Sequence, residues 1–249
     1  MLRIFFKSQY EEKKFGNLSR LLNDSLADEC DIIHNGRNKI WSVNLCDTQL
    51  VVKKFGNEII KRIIYSIKPT KAKKSMLNAI KLIERGVSTP YPIAFAERRN
   101  KLKILKESWY ITEYETSDSL GSTSSIYGSK AIDAFAEFVA NLHDMGIVHN
   151  DLNNTNVRVT ISSNGRFHFS LIDLNRMRIY PEGHIIPQSI WMKDVCRFCS
   201  IDNGFYRFSS EYLRHRGFPP QLLDDMIKTK KSHDRKNIFL KKLKSLIKK

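Results

Sequence analysis

The first part of the chain alternates apolar and polar residues, a pattern that predicts β-strands. Strands are predicted at residues 31–33, Lys39–Leu45, Gln49–Phe55, Ile93–Arg98 and Trp109–Tyr114. One helix is expected over Lys73–Arg85, where apolar residues recur at helical spacing, and Gly86 follows it as a stop signal. The first part is therefore predicted to be a β-rich lobe with one helix.

Helical periodicity dominates after a Ser-, Thr- and Gly-rich stretch at Glu115–Ser129, which is typical of a boundary between lobes. A helix is predicted around Ile132–Leu142, and a β-hairpin over Val157–Ile161 and Phe167–Ile172. We therefore expect an α+β fold of two lobes, with an N-lobe at residues 1–114 and a mainly helical C-lobe at residues 115–249.

Positive charge is the main compositional bias of the 249-residue chain, whose net charge is +16. Cations cluster at residues 53–81 and again from Lys228 onward, where apolar residues such as Phe239 and Leu243 recur between lysines. The second cluster predicts a basic amphipathic helix on an anionic membrane surface, or else a solvated face with a disordered tail. No recognised binding module accompanies the lysines, so no nucleic-acid partner is expected.

The location expected from the sequence is the cytoplasm, with peripheral attachment to an anionic membrane surface. The chain has no run of about 18 apolar residues that would predict a membrane-spanning helix. Charge interrupts the N-terminus before an apolar signal segment can form. Four cysteines are too few for a disulfide framework at this length and are typical of a reducing compartment.

Candidate chemistry lies in the stretch from His149 to Asn156 and in the later triplet around Asp173. Asp151 and Asn156 are five residues apart, and Asp173 follows an apolar run that is predicted to be a strand. Phosphoryl transfer needs such groups, one to position a hydroxyl and others to hold Mg²⁺ against phosphate oxygens. The spacing therefore predicts a phosphotransferase.

The order of elements resembles a protein-kinase-like fold, and the motifs most resemble the bacterial lipopolysaccharide kinase family of Kdo and heptose kinases. The matching pieces run from about Ile32 to Phe198: Gly36-Arg37-Asn38, Val51-Val52-Lys53, the segment 84–94, Leu142-His143, the segment 146–151 and the segment 172–176. The resemblance implies ATP and Mg²⁺ as cofactors. It also implies a lipopolysaccharide precursor, a lipid A–core glycolipid, as the acceptor.

The resemblance also assigns roles to residues. It implies Asp151 as the catalytic base, Asn156 and Asp173 as metal ligands, Lys53 as the ligand of the ATP phosphates, and Gly36, Arg37 and Glu113 as further nucleotide contacts. Lys54 is the alternative to Lys53, because neighbouring strand residues point to opposite faces. Asp194 is expected at the start of a helix, either bracing the catalytic loop through backbone N–H groups or acting as an ordinary helix-terminal acid.

The chain departs from the protein-kinase pattern at several positions. The predicted helix carries no acid before Glu84, so the usual glutamate partner of Lys53 is missing, and Glu84 or Glu58 could replace it only with a shifted geometry. Asn150 replaces the usual arginine before the catalytic Asp, so control by loop phosphorylation is not expected. Residues 175–193 lack the Ala-Pro-Glu motif of peptide-binding kinases. A sugar hydroxyl of the lipopolysaccharide inner core is therefore the expected acceptor. The alternatives are an aminoglycoside-type kinase, an atypical protein kinase and a non-catalytic binding protein on a kinase fold.

Overall fold

The structure is a computed structural model that describes residues 1–23, 30–56, 59–199 and 202–247. The chain divides into two compact units. The first contains residues 1–116 together with the short segment Asp173–Asn175, and the second contains residues 117–172 and 176–249. Glu58, one of the acids considered as a partner for Lys53, lies outside the described residues.

An antiparallel sheet of six strands forms the first unit. Its strands are β1 (Leu2–Phe6), β2 (Asp31–Asn35), β3 (Lys39–Leu45), β4 (Thr48–Lys54), β5 (Pro92–Arg99) and β6 (Leu105–Glu113). They lie side by side in the order β1, β5, β6, β4, β3, β2. The strands that alternation predicts are present, and β1 adds an edge strand that the sequence analysis did not identify.

The core of the first unit follows from the two-residue period of its strands. Leu50 and Val52 on β4 are fully buried, and they belong to one apolar cluster with Trp109 and Ile111 on β6. Residues between them on β4 point to the opposite face of the sheet. The register of the sheet therefore decides which lysine at the end of β4 lies on which face.

Helices in the first unit are more numerous than predicted, so the expectation of a single helix was wrong. They are α1 (Gln9–Lys14), α2 (Leu18–Asn23), α3 (Ile59–Ile64) and α4 (Lys71–Glu84). The first three have six residues each, too short for a periodic pattern to stand out in the sequence. The predicted helix is α4, which the Thr70 side chain caps by accepting from the Lys73 N–H, and Gly86 ends it at a positive φ of 71°.

The second unit is mainly helical, as predicted. Its helices are α5 (Leu120–Tyr127), α6 (Ser129–Asp144), α7 (Gln188–Val195), α8 (Asn203–His215) and α9 (Leu222–Ile247). Its strands are β7 (Asp118–Ser119), β8 (Ile147–Val148), β9 (Val157–Ile161), β10 (Phe167–Leu171) and β11 (Arg178–Ile179). Strands β9 and β10 form the predicted hairpin. The polar stretch at Glu115–Ser129 is not irregular, because β7 and α5 lie within it.

Aromatic rings form the core of the second unit. Phe135 on α6 contacts Phe169 on β10, Phe198, and Phe208 on α8, with centroid distances of 5.0 to 5.6 Å. This packing holds α6 and α8 against the hairpin, and such ring pairs each add about 1 kcal/mol beyond their burial. The basic C-terminal segment is helical as α9. No helix within the described ranges is both long enough and apolar enough to span a bilayer.

Candidate active site

Lys53 and Lys54 at the end of β4 point to opposite faces of the sheet, as strand geometry requires. The ammonium group of Lys53 lies 2.9 Å from Oδ1 of Asp173. Lys54 instead forms an ion pair with Glu107 on β6. Only Lys53 therefore lies beside another predicted site residue, which favours it over Lys54 as the phosphate ligand.

Asp173 belongs to the short segment that joins the first unit. Its φ of 60° is in the left-handed region, which is uncommon for a residue with a side chain. The side-chain amide of Asn175 donates to Asp173 Oδ1. The backbone carbonyl of Leu174 accepts from the amide of Asn78 on α4 at 2.8 Å. Helix α4 thus anchors this segment through an amide instead of through an acid paired with Lys53.

Glu84 was one of the two acids considered as a partner for Lys53. Glu84 is the last residue of α4, and Lys53 pairs with Asp173 instead. In this chain the carboxylate that neutralises the strand lysine therefore comes from a residue distant in sequence. The sequence analysis treated Lys53 and Asp173 separately, and no local pattern indicates that they meet.

The remaining predicted nucleotide contacts also lie in the first unit. Gly36 and Arg37 occupy the turn between β2 and β3, where the Gly36 N–H donates to the carbonyl of Asn38 at 3.2 Å. Gly56 lies against the same turn, because a Cβ there would be 2.0 Å from the Arg37 carbonyl oxygen. Glu113 ends β6, and its N–H donates to the Tyr91 carbonyl at 2.9 Å. That N–H is therefore already used and is not available to adenine.

Buried Asp194 holds the start of the catalytic loop in the second unit. One of its carboxylate oxygens accepts from the His149 N–H at 2.9 Å and the other from the Asn150 N–H at 2.6 Å. The bracing role considered for Asp194 is confirmed. Its expected position was wrong, because Asp194 lies near the end of α7 instead of at the start of a helix.

Asp194 stays charged in its buried position because donors surround it. Burial by itself raises the pKa of this carboxyl. The hydrogen bond from His143, the charge of His143 and His149 and the backbone bond from His149 outweigh burial, so the pKa of Asp194 lies below its ordinary value. His143 in turn contacts the Tyr212 hydroxyl at 2.7 Å. The buried polar side chains of Tyr212, His143 and Asp194 thus fix the loop through its backbone.

His149 stabilises the loop through its imidazole ring. Its ring is buried, and Nε2 donates to the Ile172 carbonyl at 3.0 Å. Asn150 has a φ of 61°, and its side-chain amide donates to the carbonyls of Val148 and Arg176. Asn150, which replaces the usual arginine, therefore binds backbone instead of offering a cation.

Asp151 and Asn156 are joined directly by the loop. The side-chain amide of Asn156 donates to the Asp151 backbone carbonyl at 2.9 Å. The Asn156 carbonyl accepts from the Ile172 N–H at 3.0 Å, which ties the loop to the end of the hairpin. Because the amide nitrogen of Asn156 is held by the loop, Oδ1 is the atom that a cation would bind.

Two arginines near Asp151 were not identified as site residues. Oδ1 of Asp151 lies 3.4 Å from a guanidinium nitrogen of Arg176 and 3.9 Å from one of Arg197. Arg176 follows the Asp-Leu-Asn triplet and could have been found from the motif. Arg197 lies beyond α7, and only tertiary structure brings it to the loop.

Asp173 in the first unit and Asn156 in the second each carry a side-chain oxygen of the kind that hard cations bind. Within the ranges that the structure describes, no group of three or more His, Cys, Asp and Glu side chains is placed to hold a metal ion. Mg²⁺ takes one or two protein oxygens and completes its shell with water and phosphate oxygens. The donor chemistry therefore fits Mg²⁺ bound with a nucleotide better than a structural metal.

Comparisons with known proteins identify the family and the fold. The model of the lipopolysaccharide kinase (Kdo/WaaP) family matches residues 29–182. Among solved structures, the chain is similar to "WaaP in complex with acyl carrier protein", with 18% identity and a TM-score of 0.62 over 94% of this chain and 97% of that one. The search of the curated proteins found no match.

A second solved structure is less similar. It is the Rio2 kinase–ADP/Mg²⁺–phosphoaspartate complex from Chaetomium thermophilum, with 14% identity and a TM-score of 0.48 over 87% of this chain and 75% of that one. This likeness is too weak to carry an argument.

The likeness to WaaP confirms the predicted kinase-like α+β fold. The family match covers more than half of the chain and includes Lys53, Asp151, Asn156 and Asp173. Members of the matched family are kinases, so the protein is a phosphotransferase, and the non-catalytic alternative was wrong. The chain belongs to the lipopolysaccharide kinase (Kdo/WaaP) family.

Proposed function

We propose that the protein uses ATP and Mg²⁺ to phosphorylate a sugar hydroxyl, of Kdo or heptose, in the inner core of a lipopolysaccharide precursor. The ion pair between Lys53 and Asp173 is the observation that carries this proposal. A lysine beside an acid from a distant loop matches the chemistry of nucleotide phosphates bound with a metal. Lys54, paired with Glu107 on the other face, has no such neighbour.

In the first unit, Lys53 would bind the ATP phosphates, and Asp173 would supply a carboxylate oxygen to Mg²⁺. The cation neutralises charge on the phosphates when it is bound. Lys53 and Asp173 are partly exposed, at 16% and 24%, so both groups can exchange their mutual contact for ligand atoms. Gly36 and Arg37 in the turn and the Glu113 carbonyl would complete the nucleotide contacts.

In the second unit, Asp151 would accept the proton of the acceptor hydroxyl. A positioned base of this kind typically contributes about 10²- to 10⁴-fold to the rate. Asp194 and Asn156 fix the loop through its backbone, and Oδ1 of Asn156 would be the second protein ligand of Mg²⁺. Arg176 and Arg197 beside Asp151 would attract the phosphate groups of an anionic acceptor.

A peptide acceptor is disfavoured, since residues 175–193 lack the Ala-Pro-Glu motif. Basic composition favours an anionic glycolipid over the cationic drugs that aminoglycoside-type kinases bind. The enzyme would act at the cytoplasmic face of the inner membrane. Its contact with the anionic membrane would include α9, where Phe239 and Leu243 are 65% and 43% exposed between lysines.

The proposal is tested by incubating the protein with labelled Mg²⁺-ATP and lipid A that carries Kdo, with or without heptose. We expect label in the glycolipid and a loss of about 10²- to 10⁴-fold in Asp151→Asn. Glu137→Gln, which neutralises an exposed acid of α6, is the matched control and should keep full activity. Equal labelling in wild type and Asp151→Asn, or labelling of an aminoglycoside instead of the glycolipid, would overturn the proposal.

A further inference from the structure

A basic groove lies on the first unit, and its lining residues differ from those assigned to phosphoryl transfer. It consists of two adjoining cavities of about 640 and 180 Å³, which share Phe5, Ser66, Glu97 and Arg99 among their lining residues. The cationic side chains that line the groove are Arg3, Lys68, Lys73, Arg99, Lys101 and Lys103, against the single acid Glu97. The groove is therefore strongly positive.

The two-residue period of β1 builds one wall of this groove. Leu2, Ile4 and Phe6 pack against the core of the sheet. Arg3 and Phe5 point to the other face and line the groove, and Phe5 stacks on Phe95 of β5 with centroids 4.6 Å apart. Phe5 nevertheless stays 43% exposed, so the groove offers both charge and an aromatic face.

Two exposed apolar side chains flank the groove. Ile67, which follows α3, is 92% exposed and lines the smaller cavity beside Lys68. Leu102 is 77% exposed and lies between Lys101 and Lys103, which line the larger cavity. Burial of an exposed aliphatic side chain is favourable, so both residues are placed to gain free energy from an apolar environment.

Hydrogen bonds hold these two exposed tips in place. In the β5–β6 turn, the Lys103 N–H donates to the Asn100 carbonyl at 3.0 Å and the Ile104 N–H to the Asn100 side chain at 2.9 Å. The guanidinium of Arg99 donates to the carbonyls of Lys103 and Tyr65. Arg99 therefore links the turn that carries Leu102 to the segment that carries Ile67.

The outer cations of the groove have no ion-pair partner within the part of the chain that the structure describes. Arg3, Lys68, Lys101 and Lys103 form no ion pair with any residue that the structure describes. Glu97 is buried and already binds Arg99 and the Thr70 hydroxyl. An external anion is therefore the remaining counter-charge for these four groups.

We propose that this groove is a docking surface for an anionic phospholipid bilayer. Lys68, Lys101, Lys103 and Arg3 bind lipid phosphates, while Ile67 and Leu102 enter the boundary with the acyl chains. The alternation of cations with exposed aliphatic tips fits a membrane surface, which is charged outside and apolar beneath. This surface is separate in sequence from α9, and its binding does not depend on the phosphotransfer chemistry.

The charge of the groove is tested by sedimenting the full chain with vesicles of phosphatidylglycerol and phosphatidylcholine. Each removed cation should weaken binding by about fivefold, so Lys101→Gln/Lys103→Gln should lose roughly 25-fold. Lys130→Gln/Arg166→Gln removes two exposed cations of the second unit and is the matched control. An equal loss in both variants would mean attraction by net charge alone and would overturn a specific surface.

The apolar tips are tested by fluorescence of Leu102→Trp. The three native tryptophans are 8% exposed or less, so they give a steady background. Adding the anionic vesicles should shift the new emission to the blue, and brominated lipids should quench it. Ile126→Trp, which replaces a 74% exposed isoleucine of α5, should not respond. An unchanged Leu102→Trp spectrum would refute insertion.

Soluble anions provide the last arm. Glycerol phosphate at matched ionic strength should displace little of the protein from vesicles, because it offers no acyl boundary to Ile67 and Leu102. Ile67→Asn/Leu102→Asn should bind anionic vesicles at least tenfold more weakly than wild type. Full displacement by glycerol phosphate, or unchanged binding of this variant, would identify a site for a free phosphate compound and overturn the bilayer assignment.

Discussion

The two units position their candidate site residues in different ways. In the first unit, the partly exposed side chains of Lys53 and Asp173 are positioned by the ion pair that they form with each other. In the second unit, Asp194 is 2% exposed and binds the backbone of the catalytic loop, not the side chain of Asp151. The first unit thus depends on two charged side chains. The second depends on a loop conformation that a buried carboxylate stabilises.

This difference separates effects on chemistry from effects on folding. A partly exposed ion pair contributes little to stability, about 1 kcal/mol or less, so its residues are free to change ligands. A buried carboxylate that accepts several hydrogen bonds is costly to replace, because its donors then lose their partner. Substitution of Lys53 or Asp173 should therefore lower activity without unfolding the protein. Substitution of Asp194 should lower both stability and activity.

Substitution of the neighbouring residues Lys53 and Lys54 is expected to give the largest difference in activity. Lys53→Met should lower kcat/KM by about 10²- to 10³-fold, because it removes a charge that acts on the transferring phosphoryl group. Its free energy of unfolding should change by less than about 1 kcal/mol. Lys54→Met, the control on the opposite face, should keep most of the activity. Equal losses in both variants of a phosphorylation assay would contradict the assignment.

Replacing Asp194 tests the second unit. Asp194→Asn should lower the free energy of unfolding by about 3 kcal/mol, because two backbone N–H groups and His143 lose a charged acceptor. Urea denaturation measures this change. Asp144→Asn removes an acid that pairs with Arg216 and is 56% exposed, and it should cost less than about 1 kcal/mol. A stable Asp194→Asn would show that the loop does not need this carboxylate.

The pH dependence of stability tests whether the charge of Asp194 stabilises the second unit. The pKa of Asp194 is lower in the folded protein than its ordinary value of 3.8, so the folded state binds this proton less readily than the unfolded chain. Its stabilisation is therefore complete above about pH 5 and is lost as the pH falls through the folded pKa. The difference in unfolding free energy between wild type and Asp194→Asn should shrink in acid. A difference in unfolding free energy that stays constant with pH would show that the charge of Asp194 does not stabilise the fold.

The smallest effect is expected at the C-terminal helix α9. Phe239→Asn should weaken binding to anionic vesicles by about tenfold, since an exposed aromatic side chain loses its apolar contact with lipid. Tyr206→Asn, on the 41% exposed tyrosine of α8, is the control. Vesicle sedimentation at low salt measures both variants. Unchanged binding of Phe239→Asn would remove α9 from the membrane surface.

Local patterns predicted the elements that carry the candidate site. Alternation located β4 and the hairpin of β9 and β10, so the positions of Lys53 and Asn156 relative to their elements could be derived. The Lys53–Asp173 pair could not, because it joins residues that are remote in sequence and depends on tertiary packing. The prediction that Asp194 lies at the start of a helix was wrong, because a single acid in the sequence does not mark a helix start.

The short segment Asp173–Asn175 has a consequence for dissecting the protein. It packs with the first unit although the chain enters it from the second unit and returns there afterwards. Expression of residues 1–116 alone would therefore omit the carboxylate that pairs with Lys53 and the carbonyl that binds Asn78. The first unit is therefore not a transferable module, because no single uninterrupted stretch that ends before Asp173 encodes it.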